Sequence, residues 1–361
     1  MLKIDEGIVM SYWCFDVGND IKTEEIERVL GKRAEKVQLT FERLTPEYIQ
    51  YKTPPLFMRV GREKINNKEW AVDLKIYDFG VVTVRFWTEI RGTTKETTRL
   101  LEKSETELKR KVFAVLKKVM EDIKEYIVKP AVEVEKSFSN YEIFFVNKFE
   151  RDWKPKEIVK RFGDEIAQFL RYEDKKFSES EIRDVLKSPL SYYSDDLTVI
   201  DFKSAFVYDP RKSYDVPDVL EYAIIELTEL RVYDDLLDSV LETTYEELSK
   251  KRFFAGGSVI NKLSRIKLEV SEVKEKVENF IKLIDDSYLG KIYVAASNKF
   301  YLEKWKSSVK EKLDLLESLY TKSWDRIQTM RNVWLEVAIV ALFVLDIILI
   351  LWELFGEKLG L

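Results

Sequence analysis

The sequence predicts an α+β head domain, then long antiparallel helices that form a coiled-coil-like stalk, and finally one C-terminal transmembrane helix. β-rich stretches with turn signals dominate the first part of the chain, and heptad-spaced apolar residues dominate the second. A long apolar run follows near the C-terminus. These three observations divide the chain into a head at residues 1–215, a stalk at 216–331, a transmembrane helix at 332–355 and a short tail at 356–361.

The head is predicted from short stretches rich in β-branched and aromatic residues, separated by Gly, Pro and polar loop signals. Residues 100–127 carry apolar side chains at helical spacing, and residues 23–30 are also helical in pattern. We expect loops at 54–55 and 61–68. We expect strands at Ile8–Val17, on either side of Asp78-Phe79-Gly80 within 70–90, at Tyr141–Val146, at Leu197–Ile200 and at Ala205–Tyr208.

The stalk is predicted after Pro210, where strand patterns stop. Pro217 suits the first turn of a helix, and apolar residues then recur every three or four positions from Leu220 to Leu248. Gly256-Gly257 ends that helix and permits a reversal of the chain. The next stripe alternates steps of four and three, which is typical of a coiled-coil seam. Its members are Val259, Leu263, Ile266, Val270, Val273, Val277, Phe280 and Ile284.

This seam fits two arrangements with the same spacing. It packs either within one chain, as a helical hairpin, or between chains, as an oligomer interface. We expect a homo-oligomer. A further apolar stripe runs from residue 302 to residue 327, so the helical pattern continues up to the predicted membrane segment.

The membrane segment is the run WLEVAIVALFVLDIILILW from Trp334 to Trp352, about 27 Å of helix, which matches the hydrocarbon core of a bilayer. Its two Trp residues fall at the two interfaces. The alternative is a buried helix of a soluble domain, because Asp346 costs about 3 kcal/mol on insertion. The twelve Val, Ile, Leu and Phe residues at 337–351 contribute about −0.3 to −0.6 kcal/mol each, which outweighs that cost. The expected anchor residues are Trp334, Glu336, Asp346, Trp352 and Glu353.

The flanking charges predict the orientation of this helix. Lys322, Arg326 and Arg331 precede the span, whereas Lys358 follows it, so the positive-inside rule keeps the head in the cytoplasm. The first residues lack the basic and apolar regions of a secretory signal. We therefore expect a tail-anchored, single-pass protein of the cell membrane.

Composition narrows the possible chemistry. The chain has no histidine and a single cysteine, Cys14, which removes the usual general base, the commonest zinc ligand and any internal disulfide. The 60 basic and 65 acidic residues nearly cancel, which argues against a chain-wide footprint for nucleic acid. Charged residues, mainly Glu and Lys, make up 35% of the chain, a bias typical of a thermophilic source. We expect no cofactor and no metal.

Catalytic motifs give little support for an enzyme. Phosphate-binding loops of the GxxxxGK[ST] or GxGxxG type do not occur in the sequence. The triplets Asp73-Leu74-Lys75 and Asp201-Phe202-Lys203 resemble the carboxylate and lysine set of metal-dependent nucleases. Such triplets are frequent by chance in a chain rich in Asp and Lys, so strand ends and turns are the favoured interpretation.

One segment combines basic and aromatic residues in a way that could contact RNA through phosphates and base stacking. Acidic residues dilute its charge, and a solvated start of a helix is the favoured interpretation. The basic residues are Lys148, Arg151, Lys154, Lys156, Lys160 and Arg161, and the aromatic ones are Phe149, Trp153 and Phe162.

Three sequence pieces carry a family resemblance: Phe79-Gly80-Val81-Val82 with Phe86-Trp87, the region 196–235 with LRVYDDLLD, and Leu335-Glu336 before an apolar run interrupted by an acid. In these pieces the chain resembles the required-for-meiotic-nuclear-division family of largely uncharacterised, membrane-tethered proteins. That family usually has Trp and Glu where Val337 and Asp346 stand here. The resemblance implies a head anchored by a C-terminal helix, assembly into oligomers, and no established enzymatic activity. Eukaryotic relatives are associated with organellar translation.

We therefore expect a membrane-anchored scaffold or tether that acts through protein contacts and self-assembly at the cytoplasmic membrane face. Its expected partners are the lipid bilayer and further copies of the chain. The alternative is a membrane tether for ribosomes or RNA, and the third hypothesis is a metal-dependent phosphodiesterase. The sequence does not identify a protein partner.

Overall fold

The computed structural model describes residues 1–28, 41–43, 54–131, 133–173, 175–249, 268 and 287–359. The predicted coiled-coil seam from Val259 to Ile284 and the Gly256-Gly257 break lie outside these residues. The chain divides into two compact units, one of residues 1–235 and 269–308 and the other of residues 236–268 and 309–361. A mixed sheet and several helices form the first unit.

The strands are β1 Lys3–Asp16, β2 Gly18–Ile21, β3 Phe41–Arg43, β4 Leu56–Ile65, β5 Lys68–Ile76, β6 Val81–Thr93, β7 Ile127–Pro130, β8 Phe138–Phe149, β9 Leu197–Ile200 and β10 Ser204–Tyr208. Eight of them form one sheet in the order β3-β4-β5-β6-β1-β8-β10-β9, and β2 pairs with β7 separately. Neighbouring strands in the large sheet are antiparallel except β8 and β10, which run parallel.

Some helices lie between strands in the chain order, and the helices from residue 215 onward follow the last strand. Short 3₁₀ turns occupy Lys124–Tyr126 and Val134–Lys136. Residues 23–28 are helical, within the range 23–30 predicted as a helix. The further helices are α1 Thr94–Ile123, α2 Pro155–Arg171, α3 Glu179–Val185, α4 Asp215–Ser249, α5 Ser287–Phe300 and α6 Leu302–Leu359.

Strand β1 lies inside the sheet between β6 and β8, and both of its faces are covered. Its side chains alternate between the faces, so Trp13 and Phe15 point to one side and Tyr12 and Cys14 to the other. All four are buried. Burial on both faces explains why this segment reads as a nearly continuous apolar run in the sequence.

Helices α1 and α2 cover the face that carries Trp13 and Phe15. Thr93 caps α1 by accepting a hydrogen bond from the Glu96 amide, and the Glu96 carboxylate accepts one from the Thr93 amide. The apolar residues of α1 and α2 share one core with this sheet face. The two helices therefore form one layer over the sheet.

Helices α4 and α5 cover the opposite face. The rings of Tyr222 on α4 and Tyr77 beside β5 lie 5.7 Å apart, and those of Phe300 on α5 and Tyr141 on β8 lie 5.1 Å apart. In the first unit the sheet is thus enclosed between two helical layers. The predicted head boundary at residue 215 falls at the first residue of α4, whose early turns bury Val219, Leu220 and other residues.

The second unit contains parts of α4 and α6. Leu237 and Val240 on α4 are buried, as are Val309 and Leu316 on α6. Lys312 and Asp238 form an ion pair at 2.6 Å between these helices.

Most predicted elements are confirmed, but the loop predicted at residues 61–68 is wrong. Those residues belong to the hairpin of β4 and β5, and its turn is Asn66-Asn67, with φ values of 47° and 61°. Two successive positive φ values are typical of a type I′ hairpin turn. Arg62, one of the polar residues that indicated a loop, forms an ion pair with Glu69 across the hairpin at 2.9 Å, and both side chains face solvent. Helix α1 also begins earlier than predicted, because Thr93 caps it.

Gly80 occupies the tightest backbone contact of the β5–β6 turn. Its φ is +93°, and a Cβ atom there would lie 1.7 Å from the carbonyl oxygen of Gly18. The Gly80 carbonyl also accepts a hydrogen bond of 2.9 Å from the Val17 amide. Glycine is required because the turn packs directly on the backbone that links β1 to β2.

Gly80→Ala should therefore lower the free energy of unfolding by about 2 kcal/mol or more, since the new methyl group adds a backbone clash to an unfavourable φ. Gly290→Ala is the matched control, because a methyl group added at Gly290 in α5 would have no atom within 4 Å. The control should be neutral or stabilising by up to about 1 kcal/mol. Thermal and chemical unfolding followed by circular dichroism measures both, and equal stabilities of the two variants would contradict this packing.

Candidate functional site

The C-terminal helix α6 carries a stretch, Asn332–Ile350, that is long and apolar enough to cross a membrane. None of this stretch is buried against the described part of the chain. Trp334 is 72% exposed, and the large apolar side chains from Val333 to Ile350 are all at least 50% exposed. Soluble monomers rarely expose so large an apolar surface.

The predicted anchor residues lie on this helix. Trp334, Glu336 and Asp346 are exposed. Asp346 lies twelve residues after Trp334, which is about 18 Å along the helix axis. Its carboxyl is the one ionisable group between residues 337 and 350. Trp352 and Glu353 belong to the same helix, but their side chains lie outside the described part.

A cluster of buried charges joins the sheet to α4. Arg85 on β6 donates to Asp73 on β5 at 2.7 Å, and the indole nitrogen of Trp87 donates to the same carboxylate oxygen at 2.8 Å. Lys75 donates to Asp218 at 2.8 Å and to Glu221 at 2.6 Å, both on α4. We call this group the ionic cluster; its members are Asp73, Lys75, Arg85, Asp218 and Glu221.

Strand register and helix period bring these residues together. Asp73 and Arg85 are directly opposite on β5 and β6, and Lys75 lies two residues along on the same face. Asp218 and Glu221 are three residues apart, so they share one face of α4. Burial lowers the pKa of Lys75, but the facing carboxylates of Asp218 and Glu221 raise it more, so the net pKa is raised and the ammonium stays charged.

The ionic cluster leaves no room for a substrate. The cavity among its side chains and Tyr12 has a volume of about 10 Å³, about the size of one water molecule. Each carboxylate of the cluster already faces a cation. The arrangement therefore fixes α4 on the sheet, and breaking one such buried pair typically costs about 3–5 kcal/mol.

The second Asp-x-Lys triplet is separated by the fold. Asp201 is buried and accepts hydrogen bonds from Arg171 at 2.7 Å and Lys299 at 3.2 Å, whereas Lys203 is exposed. Asp201 thus connects α2 to α5. Among the described residues, no group of three or more Asp, Glu, His or Cys side chains is placed to hold a metal ion.

Further acids on α4 hold the neighbouring helices. Glu226 accepts a hydrogen bond from the hydroxyl of Tyr293 on α5 and forms an ion pair with Lys306 on α6 at 3.0 Å. Asp234 accepts one from Ser308 at 2.7 Å. The acidic residues of α4 therefore connect it to the sheet on one side and to α5 and α6 on others.

On the other sheet face, Glu142 of β8 sits in a half-buried hydrogen-bond network. Its carboxylate accepts from the Ser11 hydroxyl at 3.2 Å and from the Tyr172 hydroxyl at 3.3 Å. The Trp13 indole in turn donates to Ser11 at 2.9 Å. Burial raises the pKa of Glu142 to about 7, and the hydrogen bonds from Ser11 and Tyr172 only partly offset this effect.

The basic and aromatic segment at residues 148–162 is mainly structural. Phe149 is 2% exposed and belongs to the core. Trp153 packs edge-on against Phe162 at 5.1 Å, and the guanidinium of Arg161 covers the Trp153 ring at 5.3 Å. These rings are therefore engaged by the protein itself.

Comparison with known proteins gives a family but no activity. The family model described as "Uncharacterized protein MJ0711, N-terminal domain" matches residues 6–215, more than half of the chain. The uncharacterized protein MJ0711 of Methanocaldococcus jannaschii is 23% identical over 291 residues, which cover 80% of this chain and 84% of that protein. No solved structure matches the chain.

The Glu142 carboxyl predicts a specific pH dependence of stability. Its pKa is about 7 in the folded chain and 4.5 in the reference state, so between these values the native state binds more protons than the unfolded state. The free energy of unfolding should therefore fall as the pH rises from about 4.5 through 7, by at most about 3 kcal/mol from this group.

Glu142→Gln should remove this part of the pH dependence, because the amide does not titrate. Denaturant unfolding at a series of pH values measures the slope. The matched control is Glu69→Gln, which changes an exposed carboxylate and should keep the wild-type slope. A Glu142→Gln profile parallel to the wild type across pH 4.5–7 would contradict the assignment.

Proposed function

We propose that this chain, which belongs to the family of the N-terminal domain of uncharacterized protein MJ0711, is a membrane-anchored scaffold that acts through protein contacts and self-assembly at the cytoplasmic membrane face. One observation carries the proposal: the stretch Asn332–Ile350 is apolar, helical and unburied. The rest of the described chain is folded, and a tethered scaffold would use its surface to bind partner proteins.

The energy balance supports insertion of this stretch into a bilayer. The twelve Val, Ile, Leu and Phe residues at 337–351 contribute about −4 to −7 kcal/mol together, against about +3 kcal/mol for Asp346. The buried-helix alternative requires apolar partners, and the described part of this chain supplies none to Asn332–Ile350. In water, this stretch would expose its apolar side chains wherever the described residues leave it uncovered.

Ion pairing of the candidate catalytic residues within the protein favours a scaffold over an enzyme. Among the sequence candidates for metal-dependent catalysis, Asp73, Lys75 and Asp201 are each paired with a buried or half-buried partner of opposite charge. The fourth candidate, Lys203, is exposed. A metal ion would have to displace Arg85 or Arg171 from its carboxylate. The resemblance to the required-for-meiotic-nuclear-division family stays a prediction, as does self-assembly.

Membrane attachment is tested by fractionation of cell lysates with a carbonate wash. Deleting residues 332–361 should move the protein to the soluble fraction, because no other described helix is long and apolar enough to span. The full chain should stay in the washed membranes.

A double substitution separates membrane insertion from simple loss of the C-terminus. Val344→Lys with Ile347→Lys adds about 5–7 kcal/mol to the insertion free energy, which exceeds the net apolar gain, while the helix keeps its length. The matched control, Val344→Ala with Ile347→Ala, should remain in the membrane. Retention of the Lys variant in carbonate-washed membranes would contradict the proposal.

A further inference from the structure

A surface pocket of about 220 Å³ lies in the first unit and shares no residue with the ionic cluster. It is formed by the loop before β9, the chain after β10, the start of α4 and the start of α5. Four tyrosines contribute to its lining. We call it the tyrosine pocket; the four are Tyr192, Tyr193, Tyr208 and Tyr288.

The aromatic wall of the pocket is held in a fixed arrangement. The Tyr192 ring lies 4.6 Å from the Tyr193 ring at 87° and 5.2 Å from the Tyr288 ring. The carboxylate of Asp196 accepts hydrogen bonds from the backbone amides of Tyr192 at 2.7 Å and Tyr193 at 2.8 Å. Three rings with different orientations thus converge on one space without needing a ligand to order them.

The charges of the lining are unbalanced in favour of the negative sign. Three carboxylates, from Asp196, Asp209 and Asp215, face one guanidinium, from Arg211. Arg211 pairs with Asp196 at 3.0 Å, with Asp209 at 3.6 Å and with Asp195 at the rim at 2.8 Å. Its charge is therefore already compensated, and the net charge of the lining is −2. Such a pocket disfavours anions.

The pocket already contains one example of the contact that a cationic ligand would make. The guanidinium of Arg211 lies 4.0 Å from the centroid of the Tyr193 ring. Cations bind the faces of aromatic rings, and cages of aromatic residues recognise quaternary ammonium groups. The rings of Tyr192 and Tyr288 are the further aromatic surfaces that a cation could contact in the pocket. Tyr192 is 53% exposed, so its ring is accessible.

We propose that the tyrosine pocket binds a small organic cation with a quaternary ammonium or guanidinium head group. The tyrosine rings would contact the head group, and the carboxylates would supply the negative field. The volume is below the range of about 300–1,000 Å³ that is usual for drug-sized ligands, which fits a compact head group. This inference is independent of membrane attachment.

The test uses the full chain in a maltoside detergent and two pairs of probes with matched shapes. Choline is compared with the neutral 3,3-dimethyl-1-butanol, and methylguanidinium with the neutral N-methylurea, by isothermal titration and ligand-observed NMR. At least one cation should bind ten-fold or more tightly than its neutral counterpart. Binding of both cations no tighter than their neutral counterparts would overturn the proposal.

Variants locate the binding. Tyr192→Leu should lower the affinity for the cation at least five-fold, because the substitution removes the aromatic face while keeping apolar volume. Tyr245→Leu, at an exposed tyrosine of α4 that does not line the pocket, should leave the affinity unchanged. If Tyr192→Leu has a lower melting temperature than the wild type, Tyr288→Leu repeats the test. Wild-type affinity in a folded variant at either position would overturn the assignment.

Discussion

The attachment of α4 to the sheet is the interaction on which the helical side of the first unit depends. Lys75 is the central cation, since it binds Asp218 and Glu221 from the sheet side while Arg85 and Asp73 neutralise each other beside it. Farther along α4, Glu226 contacts both α5 and α6. Because charges this deeply buried are tolerated only when paired, a shift of α4 that separated Lys75 from Asp218 and Glu221 would be costly.

Local patterns in the sequence predicted the strands and helices well. The β-branched stretches around Asp78-Phe79-Gly80, the strand pair after residue 196 and the helix after Pro210 all appear in the structure. The hairpin at Asn66-Asn67 was missed because its solvent-facing polar residues resemble a loop, whereas the pairing of β4 with β5 and the two positive φ values define the turn.

The sites were harder to predict than the fold, because they depend on long-range contacts. Asp73 and Lys75 drew attention as a possible catalytic pair, but the partners of Lys75 come from α4, more than 140 residues away. The tyrosine pocket combines Tyr192 with Tyr288 from another helix. A single sequence does not show which of many Tyr and Asp residues will meet. The apolar stretch Asn332–Ile350, by contrast, is a contiguous run, so it could be identified directly from the sequence.

The family gives this chain relatives without a known activity, so its function must be inferred from physical properties. The proposed function requires that α6 crosses the membrane and leaves the first unit on the cytoplasmic side. Cys14 is buried, which gives a low background for thiol labelling of single added cysteines. In right-side-out membrane vesicles, an impermeant maleimide should label Lys358→Cys but not Glu102→Cys, which is exposed on α1. Labelling of Glu102→Cys with protection of Lys358→Cys would contradict the claim.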